Sequence, residues 1–378
     1  MEDHIRVIIS GGGTGGHIFP AVSIANAIKE QHPDAEILFV GAEGRMEMQR
    51  VPAAGYPIIG LPIAGFDRKN LLKNFSVIIK LIRSQLKARK IIKDFKPDVA
   101  VGVGGYASGP TLKVAGMMGV PTLIQEQNSY AGVTNKLLAK RACKICVAYD
   151  GMERFFAPEK ILLTGNPVRQ GLTRTHLTKE EALKQFGLAP EKKTILILGG
   201  SLGARTINRC VMNHFQEIAG SDVQFIWQTG KFYINEAKEA VRAFSKEKLP
   251  MLHVTEFISD MAAAYRAADL IISRAGAGSI SELCLLEKPV ILVPSPNVAE
   301  DHQTKNAMAL VNKKAALYVK DSEADKELIG LAIQTVKQPG QLQELSSNIA
   351  RLAFKDSANV IAEEVYKLAV NYKKGKKK

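Results

Sequence analysis

Ile5–Pro20 reads IRVIISGGGTGGHIFP, and its order of residue types decides the fold. Ile5 to Ile9 form the short apolar run that a fully buried strand needs, and glycines follow at once. Gly11, Gly13 and Gly16 have the spacing G-x-G-x-x-G, and Ala21, Val22, Ile24, Ala25 and Ile28 then recur at helical intervals. A strand, a glycine turn and a helix in this order bring bare backbone N–H groups close to a ligand. The positive end of the helix dipole points at the same place, so an anion is favoured there. Such a turn also serves packing alone; the repeated use of the same design along the chain argues for the ligand.

Working outward, EILFVG (Glu36–Gly41) is a second strand. A dinucleotide enzyme places an acid at that strand's end, about 20 residues past the glycines, to hold a ribose. Here the strand ends in Gly41-Ala42 and Glu43 comes late, which weakens the NAD reading. Asp98–Val103 runs into a second glycine turn, GGYASGP (Gly104–Pro110). Pro121–Ile124 is followed by Gln125-Glu126-Gln127-Asn128, polar residues where open α/β sheets bind ligands. Lys144–Ala148 and Ile161–Thr164 complete six or seven strands before Gly165–Arg169 (GNPVR) breaks the pattern as an interdomain link.

The second half repeats the logic. Thr194–Leu198 leads into GGSLGAR (Gly199–Arg205) and a helix pattern. Its G-x-S-x-G also matches a hydrolase nucleophile elbow, but the acid and histidine that must follow are represented only by adjacent Asp301-His302. Val223–Gln228 and Met251–Val254 are strands, the latter leading to Glu256-Phe257-Ile258. In DLIISRAGAGSISEL (Asp269–Leu283) a strand delivers Arg274, a tight turn follows, and a helix is expected from about Ser279. Arginine and free amides at a helix start suit a diphosphate, and Glu282 can take both hydroxyls of a ribose. Pro289–Pro294 is followed by Glu300–Gln303, again polar residues at a strand end. A helix over 356–372 closes the fold. No D-x-D occurs and no His/Glu cluster has metal spacing, so arginine and helix N-termini are expected to neutralise a leaving diphosphate without a metal.

The 378 residues make two domains the prior. The expected architecture is α/β: two Rossmann-like domains facing across a cleft, 1–166 and 167–355, with the helix 356–372 packing back on the first. Glu2 and Asp3 stand where a secretory signal has its basic region, and no apolar run approaches the roughly 18 residues of a membrane span. Four cysteines suit a reducing compartment, and Cys143-x-x-Cys146 lies in an apolar run that points to buried structural thiols. The net charge of +14 is localised: Arg68–Lys96 carries +9 and the tail Lys373–Lys378 carries +5. Leu71–Lys96 is a helix pattern in which Phe75, Ile78, Ile79, Ile82 and Leu86 are expected to face the core. Val77 and Leu81 lie off that face beside Lys73, Lys80, Arg83, Lys87 and Lys90. That flank reads either as a solvated basic edge or as a patch for an anionic membrane surface. Few aromatic residues accompany it, which disfavours nucleic acid.

GGTGGHIFPA, GGYASGP, EQN, GNPVR, GGSLGAR, EFI, SRAGAGSISE and DHQTKNA occur in this order. In them the chain resembles the MurG family of peptidoglycan glycosyltransferases from Arg6 to about Asn359, departing at Gly278-Ser279, where members more often carry Leu-Thr. The resemblance implies a GT-B fold and inverting, metal-independent transfer of N-acetylglucosamine from UDP-GlcNAc to the lipid-linked MurNAc-pentapeptide, lipid I. It also implies no cofactor, and a peripheral position on the cytoplasmic membrane face. Carried over by motif, Thr14, Gly15, Gly16 and Asn128 contact the donor sugar side, Arg169 and Ser201 the nucleotide, and Phe257 and Ile258 the uracil. Arg274 and Ala277, Gly278, Ser279, Ile280, Ser281 and Glu282 bind diphosphate and ribose, and Gln303 a sugar hydroxyl. Gly12, Gly13, Gly104, Gly105, Tyr106 and Ser108 receive the acceptor's pyrophosphate. His17 is the expected base, kept neutral by its place at the positive end of the first helix, with Glu126 as rival. The plain alternative is that His17 hydrogen-bonds substrate or caps the loop.

Overall fold

The computed structural model describes residues 4–65, 74–168, 172, 176–200, 202–245, 248–249 and 251–376. The chain divides into two compact units, Met1–Arg169 with Phe354–Lys378, and Gln170–Ala353.

The first unit alternates strand and helix: β1 (Arg6–Ser10), α1 (Gly15–Gln31), β2 (Glu36–Ala42), α2 (Glu47–Ala53), β3 (Ile58–Leu61), α3 (Asn74–Phe95), β4 (Val99–Gly102), α4 (Ser108–Met117), β5 (Thr122–Glu126), α5 (Val133–Leu138), β6 (Lys144–Val147) and β7 (Ile161–Leu163). The strands form one parallel sheet in the order β3-β2-β1-β4-β5-β6-β7. Ile5, Val7, Ile8 and Ile9 are fully buried, because helices cover both faces of the sheet. β1 pairs with β2 on one side and β4 on the other (Ile8 opposite Leu38 and Ala100). The connections reverse direction here, which is where open α/β sheets bind ligands. The glycine turns after β1 and β4 both open at this point.

The second unit holds α6 (Lys179–Gln185), β8 (Thr194–Leu198), α7 (Arg205–Asn213), α8 (Phe215–Ala219), β9 (Gln224–Gln228), α9 (Ile234–Phe244), β10 (Leu252–Thr255), α10 (Met261–Ala267), β11 (Leu270–Ser273), α11 (Ala277–Leu285), β12 (Val290–Leu292), α12 (His302–Val311), β13 (Leu317–Tyr318), α13 (Ala324–Val336) and α14 (Pro339–Ala350). Its parallel sheet, β10-β9-β8-β11-β12-β13, repeats the order of the first unit, with the reversal between β8 and β11. The last helix, α15 (Ser357–Lys376), belongs to the first unit. There Ile361, Ala362 and Val365 join the core beside α1, and Tyr366 stacks on His32 with ring centroids 3.7 Å apart.

Two sequence expectations are corrected. The core face of α3 is Val77, Ser84, Ala88, Ile91 and Ile92, with Leu81 packed against it; Ile78, Ile79, Ile82 and Leu86 are exposed. Both sets recur at helical spacing in the first half of the helix. Only the set containing Val77 and Leu81 continues through Ala88 to Phe95, so it alone forms a stripe long enough to lie along the sheet. Leu71 and Lys73, and the side chain of Phe75, lie outside the described residues. The second correction is Cys143, which is exposed just ahead of β6, whereas Cys146 is buried within it and burial pushes its thiol up to about 12.

Candidate active site

In the first unit the two glycine turns meet. A side chain at Gly105 would overlap the Gly12 backbone, and one at Gly104 (φ +91°) would lie 2.9 Å from His17 Cε1 and 3.0 Å from its Nδ1. The hydroxyl of Ser108 is fully buried and lies 2.6 Å from the Ser10 carbonyl and 2.9 Å from that of Gly104. It locks one turn to the other, so of the expected pyrophosphate contact at Ser108 only the backbone N–H, at the start of α4, remains. Tyr106 is half-exposed, its ring against Gly65.

The amide expected to be bare at Gly13 is filled. Its N–H donates to Glu47 Oε2 at 2.8 Å, and Glu47 Oε1 accepts from Ala42 N–H at 2.9 Å. Glu47 is completely buried, and any side chain at Gly12 would overlap its carboxyl. An internal carboxylate thus occupies part of the first anion-ready turn. At Thr14, which precedes α1, no side-chain cap bond forms, so the Gly15 and Gly16 amides carry what the helix start offers. Glu47 was missed in the sequence because an acid was sought at the ribose position rather than one aimed back into the turn.

His17 sits in the first turn of α1, recessed between the turns and partly open to solvent. Its pKa is lowered from 6.5, first by burial; Glu126, the Gln127 side chain, the Val103 carbonyl and Glu47 pull in the opposite direction. Desolvation, rather than the helix dipole alone, therefore keeps the ring neutral. Its Nδ1 is 3.2 Å from Gln127 Oε1. The rival base, Glu126, is enclosed. Oε1 accepts from Asn128 N–H at 3.0 Å and its side-chain amide at 3.3 Å, and Oε2 accepts from Gly132 N–H at 3.0 Å and Asn135 Nδ2 at 2.8 Å. With four donors on a 2% exposed carboxylate, Glu126 organises the loop after β5 and places Asn128.

In the second unit the turns after β8 and β11 border a cavity of about 830 Å³, lined among others by Gly199, Arg205, Arg209, Arg274, Gln303 and Asp321. Arg274 donates from Nη1 to the carbonyls of Val293 (3.0 Å) and Pro294 (3.2 Å) and pairs with Asp321. Its charge is thus partly spent on holding the ends of β12 and β13. Arg205 and Arg209 on α7, exposed on the same cavity, were missed because the sequence reading stopped at the glycine turn. Helix α11 starts at Ala277, two residues earlier than expected, and no side chain caps its N-terminus, so the Ala277–Ser279 amides have no capping partner. Tyr265 donates to Glu282 Oε2 at 3.0 Å, and Ser281 to the Ala277 carbonyl. Gln303 Oε1 accepts from Ala275 N–H (3.2 Å) and Ser295 N–H (2.8 Å), joining the two turns. Phe257 is 58% exposed and Ile258 is buried, both past the end of β10. Arg169 and Ser201 lie outside the described residues. Among the described residues, no group of three or more His, Cys, Asp or Glu is placed to hold a metal ion.

Residues 7–147 match the glycosyltransferase family 28 N-terminal domain, and 194–361 its C-terminal domain. The chain is 78% identical, over 99% of both chains, to the UDP-N-acetylglucosamine–N-acetylmuramyl-(pentapeptide) pyrophosphoryl-undecaprenol N-acetylglucosamine transferase of Phocaeicola vulgatus. It is 72% identical to the Bacteroides fragilis transferase of the same name, over 97% of this chain and 96% of that one. Among solved structures it is similar to Acinetobacter baumannii MurG, with a TM-score of 0.76 and 27% identity over 96% of this chain and 99% of that one. Two sheets of one strand order, paired glycine turns in each and these matches end to end place the chain in glycosyltransferase family 28, within the MurG family.

Proposed function

We propose that the chain transfers N-acetylglucosamine from UDP-GlcNAc to the MurNAc-pentapeptide of undecaprenyl-linked lipid I, forming lipid II. The observation that carries this reading is the 78% identity to the P. vulgatus transferase over 99% of both chains. The geometry supplies the chemistry. The second unit takes the donor: the free amides of α11 and Arg205 and Arg209 face the diphosphate, Glu282 the ribose, and the Phe257–Ile258 segment the uracil. The first unit takes the acceptor, its pyrophosphate at the Gly15–Gly16 and Gly104–Gly105 turns. A sugar hydroxyl of the acceptor gives its proton to neutral His17 as its oxygen attacks the anomeric carbon. The bond to the diphosphate oxygen breaks on the opposite face, so configuration inverts and UDP leaves with the electron pair. Arg169 and Ser201 belong to the nucleotide side by motif.

The membrane contact is assigned to the outer face of α3. Ile78, Ile79, Ile82 and Leu86 stand 46–64% exposed beside Lys80, Arg83, Lys87 and Lys90. Apolar side chains flanked by cations suit the boundary of an anionic bilayer. Among the described residues no helix is long and apolar enough to cross a membrane. The α3 face supports a peripheral enzyme, assigned to the cytoplasmic side by its nucleotide donor.

The test is incubation of the purified protein with UDP-GlcNAc and a lipid I analogue in the presence of a chelator. The disaccharide-linked lipid and stoichiometric UDP are expected. UDP release without disaccharide, or a requirement for added divalent cation, would refute the mechanism.

A further inference from the structure

The loop after β5 contains a closed circuit of buried side-chain amides whose polarity is determined at every joint. Gln127 Nε2 donates to the Val103 carbonyl at 2.7 Å and to Gln125 Oε1. Gln125 Nε2 donates to Asn166 Oδ1 at 2.8 Å, and Asn166 Nδ2 closes the circuit on the main-chain carbonyl of Gln127 at 3.0 Å. Gln125, Gln127 and Asn166 are 0–3% exposed, so reversing any one amide would set donor against donor or oxygen against oxygen away from bulk solvent. A carbonyl oxygen receives only donors, so the Val103 contact alone identifies which end of Gln127 carries the NH₂ group. Its other end, Oε1, is therefore the atom facing His17 Nδ1 at 3.2 Å.

We propose that Gln127 is a positioning residue which holds His17 in the Nδ1–H tautomer, leaving Nε2 as the proton acceptor. An oxygen opposite Nδ1 requires N–H there, and in a neutral ring the lone pair then lies on Nε2. The wrong tautomer would present N–H to the hydroxyl that must lose its proton. The circuit gives Asn166, in the link motif GNP, and Gln125 a part in the chemistry at a distance: they hold the amide that holds the ring. The charged groups facing His17 are Glu126 and Glu47; both favour the imidazolium, whereas a neutral amide selects a tautomer without adding charge. This inference rests on the reading of His17 as base.

Two measurements separate the tautomer from the base role. The protein is labelled with ¹⁵N-histidine, and His17 is assigned by its loss in His17→Asn. Above the His17 pKa, Nδ1 is expected to resonate as a protonated nitrogen and Nε2 as a bare one. An Nε2–H ring, as would arise if the Val103 carbonyl rather than Gln127 directed it, or an even mixture, overturns the proposal. In Gln127→Met the mixture is expected to appear, with kcat down about 10-fold or more and KM for UDP-GlcNAc unchanged. Gln127→Glu, whose neutral acid can still accept from Nδ1 and donate to Val103, is expected to restore the tautomer and part of kcat. Full kcat in Gln127→Met overturns the positioning role, and if that variant fails to fold, the wild-type spectrum and Gln127→Glu decide. Normal turnover in His17→Ala would remove the base reading while leaving the spectrum as the measure of the tautomer.

Discussion

At the scale of single residues, His17 is held by three constraints: a ring partner at Nδ1, two nearby carboxylates and the backbone of Gly104. Replacing it tests the base role. His17→Ala is expected to lower turnover by about 100-fold or more with UDP-GlcNAc affinity little changed, since the donor is assigned to the other unit; unimpaired turnover would remove it from that role. The pH dependence follows from the direction of its shift. Burial lowers the folded pKa below 6.5, so more than half of the rings are neutral at pH 6.5 and the acid limb of kcat/KM is centred below that value. By linkage, the unfolded chain binds the extra proton first, so this group reduces stability as pH drops below 6.5 and does nothing above it. A limb centred above 6.5, or one that persists in His17→Ala, would assign it to another group. Gly104→Ala tests the close approach: the added methyl is disfavoured at the positive φ of this residue and presses on the ring, and a displacement of the ring by a fraction of an ångström to 1 Å is expected to reduce kcat by about 10- to 100-fold. Circular dichroism and melting of the variant distinguish this from loss of fold.

Among the secondary elements, α3 carries two apolar stripes, one buried against the sheet and one exposed, the latter proposed to meet the membrane. Val77 is buried and Ile82 and Leu86 are 55% and 64% exposed. Val77→Ala should therefore cost about 1–3 kcal/mol of stability without altering vesicle binding. Ile82→Ser combined with Leu86→Ser should leave the melting temperature within a degree or two and abolish flotation with anionic vesicles. The opposite pattern would return the core face to the Ile82 side. Raising salt should weaken flotation of the wild type, because the flanking cations are exposed and screened. In the first half of this helix the spacing supports either face; the continuation through Ala88, Ile91, Ile92 and Phe95, which places one stripe along the sheet, is what decides.

For the whole molecule, Trp227 is the chain's single tryptophan, fully buried in the core of the second unit, with Nε1 donating to Asn208 Oδ1 at 2.9 Å. Its fluorescence therefore reports the unfolding of that unit alone. UDP at about 100 times its Kd is expected to stabilise this transition by about 2.7 kcal/mol; absence of a shift would place the nucleotide on the first unit. Strand, turn and helix succession, the two-unit α/β fold and the family were legible in the chain, because buried parallel strands are continuous apolar runs and glycine turns have fixed spacing. Strands β3 and β13 were not, since IIGL is broken by Gly60 between Pro57 and Pro62, and β13 is only two residues long. What sequence alone determined is the scaffold and the kinds of residue delivered to each strand end. Only the tertiary structure decided that Glu47 fills the Gly13 amide, that Ser108 and Arg274 spend their polar groups on the scaffold, that Glu126 is enclosed by donors, and that Gln127 faces His17. Apart from the Glu126 donors, which lie two to nine positions along the chain, and the bond from Ser108 to Gly104, those outcomes depend on hydrogen bonds between residues 19 to 110 positions apart, whose partners and directions are set by packing and leave no local pattern in the chain.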